Sequence, residues 1–188
     1  MDNLDYKARD LASTEFELRD YKLFVNVAPE ELHNPLFSED IELHNVVLEI
    51  TEESKESPFN DSNRLKKKLE KLRDNGLEIA LDDFGTQRQN YDRLPQYKPD
   101  FVKLDNSIVT NVEMLKLFVP HIPQYNVIVE GVETAEQLQN CIDLGFHYVQ
   151  GFYLAHPLPY TKLMTSLLNK DLQNSVLQKL DLKVHETS

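Results

Sequence analysis

Apolar and polar residues alternate in short blocks along this chain. Six apolar, β-branched runs stand out: Lys22–Val27, Val46–Thr51, Leu77–Leu81, Phe101–Leu104, Val127–Val129 and Tyr148–Val149. Each has the length and composition of a buried strand. Between them apolar residues recur near the helical period, with Leu65, Leu69 and Leu72 inside 61–75 and Leu138, Ile142 and Leu144 inside 134–144. The repeated order of strand then helix predicts an α/β fold with a parallel sheet wrapped by helices, either a doubly wound open sheet or a (β/α) barrel. Thr134, with Gln137 three residues on, reads as a capping box that starts the later helix. Gly76 and Gly145 follow the two helical stretches, where a left-handed cap is expected.

At 188 residues the chain suits one compact domain with its own core. Its net charge of −12 sets a field that repels long nucleic acids. A small phosphate ester is not excluded, because carboxylates that bind divalent cations turn from repelling phosphate to attracting it. Cys141 is the single cysteine, so no internal disulfide forms; with Ile142 and Leu144 beside it, it is expected to be a buried structural thiol. No run approaches the ~18 apolar residues of a membrane span and the first residues lack the apolar core of a signal peptide, so the expected location is the cytoplasm. The polar stretch 52–63 reads as a loop. Beyond Pro157 and Pro159, leucines at 163, 167, 168, 177 and 180 with Val176 predict a helical tail over 161–188 that packs on the domain, taken as 1–160, or on a partner.

Chemistry gathers where the strands end. Asn26, Glu49, Asp82 with Asp83, Lys103, Glu130 and Gln150 fall at or just before the carboxyl ends of successive runs. Taken singly, an acid at a strand end is usually a helix cap or a surface charge. In (β/α) architectures, however, that edge converges on one crevice. Carboxylates and an amide oxygen are hard donors that suit Mg²⁺, Mn²⁺ or Ca²⁺, whereas zinc would call for histidine and cysteine. The six histidines show no ligand spacing and read as structural or solvated. Asp82 and Asp83 alternate faces on an extended backbone, so one should point into the crevice and the other cap the next helix. Lys103, between Val102 and Leu104, needs a partner and reads equally as functional or as half of a buried ion pair. Gly85, Gly131 and Gly151 follow these polar groups, as though the backbone passes close to something there. Tyr148 and Phe152 flank Gln150 and are expected in the core, with stacking on a base as the other reading.

The wording of these segments is similar to one family. LDDFGTQRQN at 81–90, DFVKLDNSIV at 100–109, VEGVETAEQL at 129–138 and LGFHYVQGFYLAHPLP at 144–159 resemble EAL-domain motifs in order and content, preceded by FVNVAPEEL at 24–32 and LEITEE at 48–53. The resemblance covers about residues 10 to 160. It implies a TIM-like (β/α) barrel that hydrolyses cyclic di-GMP to a linear dinucleotide with two Mg²⁺ or Mn²⁺ ions. Carried over motif by motif, Asn26, Glu49, Asp82, Asp83 and Glu130 would ligate metal. Lys103 would help position or activate water, Gln150 would hold water, and Glu52 would support the loop after the paired aspartates.

The pattern also departs from the family. The strand carrying Glu-Ala-Leu, with its phosphate-holding Arg, is expected ahead of residue 1 and does not occur in the sequence, so an incomplete barrel of about six strands is expected, without the first two. Gln87-Arg88-Gln89-Asn90 stands where the family usually has Gly-Tyr-Ser-Ser. The reading that follows is a degenerate EAL domain of cyclic-di-GMP signalling, a catalytically impaired binding or regulatory module; the alternative is an active phosphodiesterase. Open sheet edges would call for a protein partner, a second copy, segment 4–19 or the tail to cover them.

Overall fold

The fold is given by a computed structural model, which describes residues 21–32, 45–51, 62–85, 90–118 and 126–169. The backbone contacts divide the chain into two compact units, Met1–Lys103 and Leu104–Ser188.

The first unit runs β1 (Leu23–Val27), α1 (Pro29–Leu32), β2 (Val46–Ile50), α2 (Ser62–Asp74), β3 (Glu78–Phe84), α3 (Asn90–Tyr97) and β4 (Phe101–Leu104), whose last residue opens the second unit. These strands lie in sequence order, with β1 parallel to β2 and β2 parallel to β3. Every residue of β2 and β4 is buried. That burial explains why these strands read as continuous apolar runs with one charged residue each instead of an in/out alternation. Helix α2 turns Leu65, Leu69 and Leu72 into the core and its lysines outward, as the spacing predicts. It ends at Gly76, where φ is 85°, and the Leu77 N–H reaches back to the Leu72 carbonyl at 3.1 Å. A side chain there would meet no neighbour but would be strained by that φ, which is why glycine ends the helix. Arg73, in the last turn of α2, donates to the carbonyls of Tyr97 and, at 2.8 Å, Lys98, tying α2 to the end of α3.

The second unit continues from Leu104 with α4 (Asn106–Val109), α5 (Val112–Phe118), β5 (Asn126–Val129), α6 (Ala135–Asp143), β6 (Tyr148–Val149) and α7 (Tyr160–Leu168). Strands β5 and β6 are parallel. The capping box is present: the Gln137 N–H donates to Thr134 Oγ1 at 3.2 Å, and Gln137 Oε1 accepts from the Thr134 N–H at 3.0 Å. The inward face of α6 differs from the expected one. Leu138 and Cys141 are its buried residues, whereas Ile142 is 44% exposed and Leu144 is the C-cap. Three residues from Leu138 nearly complete a turn, so Cys141 faces inward as the buried thiol expected of it, and Ile142 does not. Burial pushes the Cys141 thiol up to about 11.

Helix α7 accounts for the start of the expected tail. The residues after 169, the segment 4–19 and most of the polar stretch 52–63 lie outside the described residues, although Ser62 and Asn63 already belong to α2. Among the described residues, no helix is long and apolar enough to cross a membrane.

Candidate functional site

Register builds the site in the first unit. Asn26 on β1 lies opposite Glu49 on β2, and Glu49 lies opposite Ala80 on β3. Asp82 follows Ala80 by two residues and so shares its face, which places Asn26, Glu49 and Asp82 on one side of three adjoining strands. Lys103 completes the group from β4. Its Nζ is 2.9 Å from Glu49 Oε1 and 3.0 Å from Asp82 Oδ1. The side chains of Lys103, Glu49 and Asp82 are 6%, 10% and 17% exposed, so water does little to screen these pairs. The lysine is therefore half of a buried ion pair, and both of its partners are candidate metal ligands.

Burial raises the Glu49 carboxyl above the usual carboxylate range. The bond and charge of Lys103 oppose that rise, and the charges of Asp82 and Asp83 reinforce it. One ammonium facing several carboxylates leaves negative charge unmatched in a half-buried place. Together with the oxygen-only donor set, this fits a hard divalent cation and not a thiophilic one.

Asp83 departs from the strand conformation, with φ at 51°. A left-handed aspartate is costly, on the order of 1–2 kcal/mol, and such costs concentrate at functional sites. The simple alternation of faces expected for the aspartate pair therefore ends at Asp82. Glu52 and residues 86–89 lie outside the described residues.

In the second unit, Glu130 directly follows β5 and its N–H donates to the Leu104 carbonyl at 3.2 Å, while Gln150 directly follows β6 and its N–H donates to the Val129 carbonyl at 2.8 Å. The glycines beside them answer to packing. A Cβ at Gly131 would lie 2.5 Å from the Asn106 amide, and one at Gly151 would lie 2.1 Å from the Val132 carbonyl oxygen. Tyr148 and Phe152 are not core residues: they are 46% and 55% exposed. Strand β6 has only two residues, too short to carry Tyr148 and Phe152 under a helix. Phe152 instead lies against the His156 ring, with centroids 4.9 Å apart.

A profile of the family described as "EAL domain" matches residues 5–157. The chain belongs to the EAL domain family. This EAL domain is 33% identical over 135 residues to the probable cyclic di-GMP phosphodiesterase PdeG of Escherichia coli strain K12; the match takes in 67% of this chain and 26% of PdeG. Among solved structures it is similar to the EAL domain of Mycobacterium smegmatis DcpA, with a TM-score of 0.71, 24% identity, and coverage of 87% of this chain and 78% of that one. It is also similar to Bacillus subtilis YkuI in complex with cyclic di-GMP and calcium, with a TM-score of 0.60, 25% identity, and coverage of 98% and 48%. The fold is accordingly the TIM-like (β/α) arrangement of EAL domains, represented by six strands among the described residues.

Two residues of this EAL domain escaped the reading of strand ends because both sit in helices. Arg93 in α3 donates to backbone at the end of β2, and Asn106 at the start of α4 packs against Gly131. The arginine had one legible signal, a charged residue one position before the buried Leu94 on an amphipathic helix.

Proposed function

We propose that this chain is a metal-dependent cyclic-di-GMP-binding module of the EAL family in which hydrolysis is impaired. The observation that carries it is the buried group Glu49, Lys103 and Asp82, an oxygen-donor set with more negative charge than its lysine balances. Asn26, Glu49, Asp82 and Asp83 would hold the cation; Glu130 and Gln150, from the second unit, enter this reading through the family motif. Bound divalent cations supply charge neutralisation and Lewis acidity toward a phosphodiester. The chain's own part is to hold donors in register on three strands, with the Lys103 ammonium between Glu49 and Asp82. The change of the loop after Gly85 to Gln87-Arg88-Gln89-Asn90 supports impaired turnover.

A second reading, an active phosphodiesterase, is favoured by one observation: Lys103 is already held beside two candidate ligands, where it would orient water. Titration calorimetry with cyclic di-GMP in Ca²⁺, then product analysis in Mn²⁺, separates the two. Binding without linear dinucleotide is the expected result. Conversion establishes the second reading, and absence of binding with any metal removes both.

A further inference from the structure

We infer that Arg93 is a positioning residue for the metal site, acting through the backbone at the end of β2; this rests on the metal-binding reading above. One guanidinium nitrogen donates to the Thr51 carbonyl at 2.9 Å and lies 3.5 Å from the Ile50 carbonyl. These are the two residues that follow Glu49. The guanidinium also lies over the Tyr97 ring, 5.2 Å from its centroid, and Tyr97 is fully buried. The cation is thus held against an aromatic residue of its own helix, while one terminal nitrogen points at the carbonyls of Ile50 and Thr51.

Those peptide groups need a donor. The carbonyls at a strand end run out of ladder partners, and an unpaired buried carbonyl costs about 1–3 kcal/mol. Thr51, one residue past the strand, gives its own N–H to the Val27 carbonyl at 3.3 Å, so β1 holds the amide side of this residue and Arg93 its carbonyl side. Glu49 sits two residues upstream on a buried strand, and a shift of the strand end would move its carboxylate relative to Asn26 and Asp82. Arg93 Nε is buried and has no hydrogen-bond partner among the described residues, so the side chain is held in a tight place despite an unmet donor. Such an arrangement suits a residue selected for where it holds the backbone more than for its own stability. A lysine would reach the same carbonyl as a point donor but would lose the fixed planar orientation and the flat contact with Tyr97.

The test is Mn²⁺ affinity, measured by calorimetry with metal alone and well below the melting temperature, on the full chain and on R93A, R93K and L94A. Outer residues that orient ligands typically change metal affinity by about 10–100-fold when lost. The expected result is about tenfold weaker binding in R93A, a smaller loss in R93K, and unchanged affinity in L94A. The last variant removes a buried leucine of the same helix, 8% exposed, and leaves the Arg93 guanidinium in place. Equal affinity in the parent and R93A overturns the inference, as does an equal loss in L94A, which would mean that softening α3 is enough. A parent protein that binds no Mn²⁺ overturns the metal-binding reading itself.

Discussion

Replacing Lys103 by methionine keeps a stem of similar length in the apolar setting of Val102 and Leu104 and removes only the ammonium. In the parent, that ammonium makes contacts of 2.9 and 3.0 Å with Glu49 and Asp82. At an effective dielectric of ~20 the gross attraction is roughly 5 kcal/mol per pair, but burying the lysine cancels much of it. Measured losses on removing one partner of a buried pair are about 3–5 kcal/mol. Asp82 retains some access to water, so the low end applies: about 3 kcal/mol, or roughly 6–12 °C in Tm for a chain of this size. The assay is thermal unfolding in EDTA at pH 7, where no cation can replace the ammonium. Glu49 gives the pH dependence its sign. Its folded-state pKa already lies above the unfolded value, so its contribution to stability is complete below that unfolded value and is lost as pH rises through the folded one. Removing Lys103 takes away the influences that oppose the rise, so the deficit of K103M should be largest at neutral pH and shrink as pH falls toward 5. A variant that melts within about 2 °C of the parent in EDTA at pH 7 would refute the claim that this lysine holds the carboxylates together.

Three further outcomes are expected. Gly131→Ala should cost about 2–4 kcal/mol from the clash with Asn106 and the left-handed φ of 71°, and Asn106→Gly in that background should recover the steric share, both read by denaturant unfolding. Thr134→Ala removes the capping oxygen of α6 and should lower stability by about 1 kcal/mol, seen as a small drop in Tm. Cys141, with its thiol at about 11 against 9.0 in the unfolded chain, should resist a thiol reagent at pH 8 until the protein unfolds; its contribution to stability is complete below pH 9.0 and is lost as pH rises toward 11, so Cys141→Ala should flatten the alkaline fall.

Strands and caps were legible because they depend on local chemistry. Runs such as VVLEI and FVKL have the length and β-branched content of buried strands, and Thr134 with Gln137 marks a helix start. The polar strand ends were legible one by one, since each is charged in an apolar context. Their partners were not. That Lys103 reaches both Glu49 and Asp82 depends on the register of β1, β2 and β3 and on β4, which no single segment encodes. Ile142 and Cys141 show the limit of periodicity: two adjacent apolar residues lie within 100° of each other on a helix, and packing decides which one faces in. Phe152 and Tyr148 were misplaced because aromatic character signals burial only where a long enough element covers it. Arg93 was overlooked because its partners are backbone carbonyls, invisible in any pattern of side chains.

The stitching of the segments after β5 and β6 constrains how this protein can be altered. Val132 N–H donates to the Gln150 carbonyl at 3.0 Å, Tyr153 N–H donates to the Val132 carbonyl at 3.0 Å, and Gly151 leaves no room for a side chain against Val132. Residues 129–132 and 149–153 therefore behave as one cassette. A chimera that exchanges one with a relative and keeps the other should lose the lacing, whereas exchanging both together should carry Glu130 and Gln150 across with their backbone intact.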